Sequence, residues 1–341
     1  MVVVMEAHAD AADRAAVIAR LEEVGLKGHT WHGEERCVIA VVGAKIPLGL
    51  EEHLQSLSGV QTTLRITKPY KLAARDFHPE NTIIKVGDIE IGGGVPVVMA
   101  GPCSVESETQ MLDTARAVAK AGAHILRGGA FKPRTSPYAF RGLGEEGLKI
   151  LALARQETGL PFITEALNTR DVELVARYTD IIQIGARNMQ NFALLEEAGR
   201  TGKPIMVKRG PSATIEEWLL AAEYIMATGN PNVILCERGI RTYETATRNT
   251  LDLNAVAVAK RRSHLPVIVD PSHGTGKWYL VQPLALAGLA VGADGLMIEV
   301  HHDPDRASSD GPQSLTHEHF VELMERVKLL THLNEQQLAA A

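Results

Sequence analysis

Cys103, His273, Glu299 and an aspartate from the loop after Glu299 are the residues of this chain whose types could together hold a divalent ion. One thiolate, one imidazole and two carboxylates make a donor set of borderline softness, suited to Mn, Fe, Co or Zn. Asp310 can supply the second carboxylate, and His301, His302, Asp303 and Asp305 are rivals in the same stretch. Each residue has a plainer reading when taken alone. A lone cysteine is most often a small buried hydrophobe. His273 could serve a turn, and Glu299 and Asp310 could be solvated loop charges. A second group is cationic: Arg127, Lys132, Arg134, Arg187, Lys208, Arg209 and Arg238. Gathered at one mouth they would bind phosphate or carboxylate, arginine in two-pronged fashion and lysine as a point charge.

What gathers them is a run of short strands. Non-alternating apolar strands are expected over 97–100, 124–127, 161–164, 181–184, 204–207, 232–235, 266–269 and 295–298, each followed by a helical segment. Strands of this kind have both faces buried in a parallel sheet. Eight such units in one chain form an α/β (β/α)8 TIM barrel, with a doubly wound open sheet as the rival architecture. Read at their C-terminal ends, the strands present Cys103, Arg127, Thr164-Glu165, Arg187, Lys208-Arg209, Glu237-Arg238, Asp270-Pro-Ser-His273 and Glu299. Barrel chemistry sits at those ends. Before the first strand, residues 82–92 read as a hairpin turning at Gly87-Asp88, which would cap the opposite mouth.

Residues 1–67 form a separate unit of the order β-α-β-β-α-β, a ferredoxin-like pattern. Its strands are expected at 2–6, 27–31, 37–43 and 59–66, and its helices at 10–24 and 48–57. A proline-bearing linker, 68–81, leads to the catalytic barrel of 82–333, and 334–341 reads as a frayed tail. Apolar residues make up 45% and charged ones 22%, which is globular composition and argues against disorder. The net charge of −6 and the absence of a basic tract weigh against nucleic acid or an anionic membrane as partner. No apolar run reaches the roughly 18 residues of a membrane span. The first residues lack the form of a secretory signal, and three cysteines are too few for a disulfide framework, so a reducing cytoplasm is expected.

Three tempting motifs fail. Gly274-Thr-Gly-Lys277 lacks phosphate-loop spacing, His317-Glu-His319 is not a zinc-protease helix, and Gly92-Gly-Gly94 opens no helix. Six other stretches carry a resemblance: Gly101-Pro-Cys-Ser-Val-Glu106, Arg127-Gly-Gly-Ala-Phe-Lys-Pro-Arg-Thr-Ser136, Gln183-Ile-Gly-Ala-Arg-Asn188, Lys208-Arg-Gly210, Cys236-Glu-Arg-Gly239 and Asp270-Pro-Ser-His273. Together they resemble 3-deoxy-D-arabino-heptulosonate-7-phosphate (DAHP) synthase, in the subtype with an N-terminal ferredoxin-like regulatory domain. The resemblance runs over the whole barrel.

It implies condensation of phosphoenolpyruvate with erythrose 4-phosphate and water, the entry step of the shikimate route. By position, Cys103, His273, Glu299 and Asp310 would hold the metal. Arg127, Lys132, Arg187, Lys208 and Arg238 would bind phosphoenolpyruvate. Lys132, Pro133, Arg134, Thr135 and Ser136 would bind erythrose 4-phosphate. Lys132, Glu165 and His273 would be catalytic, Lys132 as acid/base and Glu165 as the group orienting water. The resemblance further implies a homotetramer and feedback by an aromatic amino acid, Tyr or Phe, with His29, Thr30 and Trp31 near a ligand loop. Cys103 and Cys236 could form an oxidation-sensitive pair. Two other functions compete. One is 3-deoxy-D-manno-octulosonate-8-phosphate synthase, which uses arabinose 5-phosphate; the segment Lys132-Pro-Arg-Thr-Ser136 disfavours it. The other is an inactive metabolite-binding barrel.

Overall fold

A computed structural model describes the chain apart from residues 33–36, 44–45, 65–68, 134–135, 137 and 341. The packing of the chain divides it into two compact units: residues 1–81 with 261–264, and residues 82–260 with 265–341.

In the first unit β1 (Val2–Met5), β2 (Lys27–His32), β3 (Cys37–Val42) and β4 (Val60–Leu64) lie in the order β2-β3-β1-β4. β1 is antiparallel to both neighbours, with Val3 opposite Ile39 and Thr63. Between the strands run α1 (Ala11–Glu23) and α2 (Leu50–Gln55), which completes the split βαβ arrangement. Asp10 starts α1: its carboxylate accepts from the Ala12 and Asp13 N–H groups, and Asp13 returns a bond to Asp10 N. One face of the sheet, Val3, Met5, Ile39 and Val41, packs on Val17 and Leu21 of α1 and Leu50 and Leu54 of α2. Alternation along β1 and β3 dictates this, because odd-numbered residues share a face.

His29, Thr30 and Trp31 lie within β2, not on a loop. The Trp31 ring packs edge-on against Phe77 and His78, which fixes it as a wall of the unit. Residues 69–81, expected as a linker, belong to this unit, and their Tyr70, Leu72 and Phe77 are buried.

The second unit opens with the hairpin β5 (Ile84–Val86) and β6 (Ile89–Ile91). Eight parallel strands follow: β7 (Val97–Gly101), β8 (Ile125–Arg127), β9 (Phe162–Glu165), β10 (Ile181–Ile184), β11 (Ile205–Lys208), β12 (Val233–Glu237), β13 (Val267–Val269) and β14 (Gly295–Glu299). They close into a barrel, and β14 joins β7 through Gly295 opposite Val97 and Glu299 opposite Gly101. Closure excludes the open doubly wound sheet. Met99, Ile125, Ile163, Ile181, Met206, Ile234, Ile268 and Met297 form one core, and Ile84, Val86 and Ile91 of the hairpin join it. The hairpin therefore seals the barrel end away from the strand termini that carry charge.

Helices α3 (Glu108–Ala121), α4 (Glu145–Thr158), α5 (Thr169–Tyr178), α6 (Phe192–Arg200), α7 (Ile215–Met226), α8 (Leu253–Arg262), the short α9 (Pro271–Thr275), α10 (Trp278–Ala290) and α11 (His317–Ala340) alternate with the strands. α11 continues to Ala340, so residues 334–340 are helical and not a tail. Leu, Glu, Gln and Ala dominate that stretch, and all are good helix formers. Among the described residues no helix is long and apolar enough to cross a membrane.

Candidate active site

Five strands end in a charged residue, and all but Glu237 deliver it to one mouth. Arg127, Glu165, Lys208, Glu237 and Glu299 are the last residues of β8, β9, β11, β12 and β14. Asp270 follows β13 and caps α9, accepting from the His273 N–H at 2.9 Å. This cap places His273 one turn into the helix.

Four side chains from distant parts of the chain meet there. The ligand-capable atoms of Cys103, His273, Glu299 and Asp310 lie within 4.8 Å of one another. Cys103 Sγ donates to Asp310 Oδ2 at 3.1 Å. His273 Nε2 is 3.4 Å from Glu299 Oε1 and 3.9 Å from Asp310 Oδ2. On the other side of the ring, Nδ1 is 2.7 Å from Asp270 Oδ2. Asp270 thus accepts from Nδ1–H and leaves the Nε2 lone pair facing the cluster, the orientation a metal-bound histidine needs. The rivals His301, His302, Asp303 and Asp305 are not in the cluster. Sulfur, nitrogen and two oxygens converging at this distance fit a divalent transition ion.

Glu299, Cys103 and Asp310 each have a basic side chain beside them. Arg127 Nη1 donates to Glu299 Oε1 at 2.7 Å, Lys132 Nζ to Cys103 Sγ at 2.8 Å, and Arg248 Nη1 to Asp310 Oδ1 at 2.9 Å. Gln313 closes the ring, donating to Glu299 Oε2 and accepting from Arg248. Burial pushes the Cys103 thiol up to about 12, and the Glu299 charge adds to that. Burial lowers the pKa of His273 despite Asp270, so its ring is neutral in the resting protein. Burial works against ionisation of Asp270, Glu299 and Asp310, but the hydrogen bonds of His273 to Asp270 and the cations Lys208, Arg127 and Arg248 beside the three carboxylates outweigh it, and all three are lowered. Asp310 sits at φ 53°, the one non-glycine residue with positive φ among those described. Strain of this kind persists where the surroundings hold a side chain in place for a task.

Beside the cluster opens a cavity of about 570 Å³. Arg127, Lys132, Arg187, Lys208, Arg238, Arg241 and Arg248 line it, with Pro133, Ser136, Glu165, His273 and Asp310. Arg134 and Thr135 lie outside the described residues. Arg238 is 9% exposed and makes no hydrogen bond or ion pair with described residues, although burial lowers its pKa. A buried cation without a partner is primed for an anion. Lys208 points to the same side and holds Asp270 at 2.6 Å. Arg209 does not join them. It is buried against Glu237 at 3.0 Å and Asp252 at 2.9 Å, an internal ion pair outside the cavity.

Burial raises the pKa of Glu165 against the pull of Lys132 and Lys208. Gln183 Nε2 donates to its carboxylate at 3.3 Å. Gly185 gives that carboxylate its room, because a Cβ there would lie 2.0 Å from Glu165 Oε1. Gly185 has φ −67°, so space and not backbone conformation requires the glycine. Gly185→Ala is expected to displace Glu165 and lower turnover by about tenfold to a hundredfold, read from steady-state rates at unchanged melting temperature. Undiminished turnover would show that the position of Glu165 is immaterial.

Sequence reasoning missed Arg248, in an irregular loop, and Gln313, in a single 3-10 turn over Gly311–Gln313; neither stretch has a periodicity. The role of Asp270 had a signal in Asp270-Pro-Ser-His273, since an aspartate before a helix-opening proline is a natural cap.

The family comparisons agree with this geometry. Residues 70–336 match the DAHP synthetase I family, and residues 1–68 match the DAHP synthase ferredoxin-like domain. A phospho-2-dehydro-3-deoxyheptonate aldolase of Thermotoga maritima is 50% identical over 97% of both chains. A 2-dehydro-3-deoxyphosphooctonate aldolase of Syntrophotalea carbinolica is 38% identical over 68% of this chain and 90% of its own. The crystal structure of the Thermotoga maritima DAHP synthase superposes with a TM-score of 0.77 over 97% of both chains, at 48% identity. A truncated form of that enzyme gives 0.73 at 51% identity over 77% of this chain and 96% of its own. With matches over both units, the chain is an enzyme of the DAHP synthetase I family, carrying that family's ferredoxin-like domain at its N-terminus.

Proposed function

We propose that the chain condenses phosphoenolpyruvate with erythrose 4-phosphate and water to DAHP and inorganic phosphate, with a divalent metal held by Cys103, His273, Glu299 and Asp310. The observation that carries this reading is one cavity lined by seven arginines and lysines, with four metal-competent side chains converging at it. Two phosphates and a carboxylate account for that many cations. The metal, when bound, supplies Lewis-acid polarisation of the aldehyde oxygen.

The remaining work falls to the protein. Arg127, Lys132, Arg187, Lys208 and Arg238 bind phosphoenolpyruvate and aim its enol carbon at the aldehyde. Lys132, Pro133, Arg134, Thr135 and Ser136 hold erythrose 4-phosphate. The new carbon–carbon bond forms from the enol carbon while water adds to the phosphate-bearing carbon, and the phosphate leaves. Lys132 donates toward the developing alkoxide. Glu165, with a raised pKa, orients the water and accepts its proton. Asp270 holds the His273 ring in the required tautomer.

The N-terminal unit serves as a feedback module for an aromatic amino acid, Tyr or Phe, acting near His29, Thr30 and Trp31. Its family match supports this reading. One phosphate-release assay tests the whole. Phosphoenolpyruvate with erythrose 4-phosphate should release phosphate, a chelator should abolish release, and added Tyr or Phe should reduce it. Faster release with arabinose 5-phosphate would favour the octulosonate reaction, and no release with either aldose would refute catalysis of this kind.

A further inference from the structure

Cys103 and Asp310 sit on loops, one following β7 and the other well beyond β14. No strand or long helix fixes either ligand, and Asp310 also holds a positive φ. Metal sites bind tightly when their ligands are in place before the ion arrives, so something must fasten the two loops together.

Contacts between their immediate neighbours do this. Ser104 Oγ and Ser309 Oγ are 2.6 Å apart, and both residues are buried. Glu106 Oε1 accepts from the Ser308 N–H at 2.8 Å. Glu106 is anchored in turn, since its N–H donates to Gln110 Oε1 of α3 at 3.2 Å while Gln110 Nε2 donates to Ser104 O. His301 adds a third point. It is 3% exposed, and its Nδ1 accepts from the Asp303 N–H at 3.0 Å, which leaves the ring proton on Nε2. That Nε2 has no hydrogen-bond partner among described residues and lies 3.7 Å from Glu106 Oε2.

From this we infer that Ser104, Glu106 and Ser309 are positioning residues that clamp the Asp310 loop onto the Cys103 loop and thereby set metal affinity. The inference rests on the metal site proposed above. Loss of the clamp frees a strained loop and so weakens the hold on the ion. Arg248 also touches Asp310, but its positive charge opposes a cation, so its removal would mix signs.

The test uses the full chain, stripped with a chelator and titrated with Mn²⁺ while the free ion is followed by electron paramagnetic resonance. Glu106→Ala is expected to raise Kd about tenfold to a hundredfold. Glu106→Gln, whose amide oxygen still accepts from Ser308 N, should recover most of that affinity. Ser309→Ala, the variant that disturbs packing least, should raise Kd about fivefold. The spectrum of bound Mn²⁺ should broaden in Glu106→Ala, and excess Mn²⁺ should restore turnover. If Glu106→Ala and Ser309→Ala, folded by circular dichroism, bind within about twofold of the unaltered protein, the clamp is refuted while the metal site stands. If the unaltered protein binds no Mn²⁺, both the site and the clamp fall.

Discussion

Lys132→Met lowers kcat by about a hundredfold to ten-thousandfold while leaving the fold and the bound metal in place. Lys132 Nζ donates to Cys103 Sγ at 2.8 Å and to Cys103 O at 3.1 Å, and it also lines the cavity. Like Arg127 and Arg248 it reaches both the metal cluster and the substrate space, and among the described residues it is the cation bonded to the thiol. Burial works against its charge, but the neighbouring acids, Glu299 and Glu165 among them, outweigh that and raise its pKa. In the proposed reaction Lys132 therefore enters protonated, as a donor, an acid for the alkoxide and not a base for the water. Methionine keeps the stem and loses the charge. Steady-state phosphate release with both substrates saturating gives kcat, and metal analysis of the same sample shows whether the ion is retained. Full turnover in Lys132→Met would sink the assignment. Arg127 offers no such clean test. It is buried against Glu299, and removing one partner of a buried pair costs about 3–5 kcal/mol of stability.

The barrel was legible because its strands are buried on both faces and therefore apolar without alternation. All eight appear within one or two residues of their expected positions. The ferredoxin-like unit was legible through alternation in β1 and β3, whose odd residues meet the helices. The site was readable only as a set of residue types at strand ends. Strand-end reading could not separate Lys208 from Arg209, although they are neighbours. Successive side chains on a strand point to opposite sides, so Lys208 enters the mouth while Arg209 turns to Glu237 and Asp252. Asp310 was likewise one of several acids and imidazoles in a loop without periodicity. Its selection depends on an αL backbone and on bonds to Cys103 and Arg248, which no local pattern encodes. Arg248 and Gln313 were illegible for the same reason.

Cys103→Ala abolishes turnover by removing metal, and it also removes the pH dependence of metal binding. In the resting protein burial holds the thiol pKa near 12, so Cys103 carries its proton at every working pH. A metal takes the thiolate, and binding must expel that proton. The other ligands have none to give, because His273 is lowered by burial, and Glu299 and Asp310 are lowered, with Arg127 and Arg248 beside them. One proton is released per ion. Affinity should therefore rise about tenfold per pH unit between roughly pH 7 and pH 9, since fewer free protons compete for the sulfur. Removing the thiol deletes one of four ligands and the source of that proton. Cys103→Ala should bind at least about a hundredfold more weakly and with a flat pH profile. Calorimetric titration in buffers of different ionisation enthalpy counts the released protons directly. A variant that bound as tightly as the unaltered protein, or that kept the slope, would move Cys103 out of the ligand set and leave its thiol as a packed side chain.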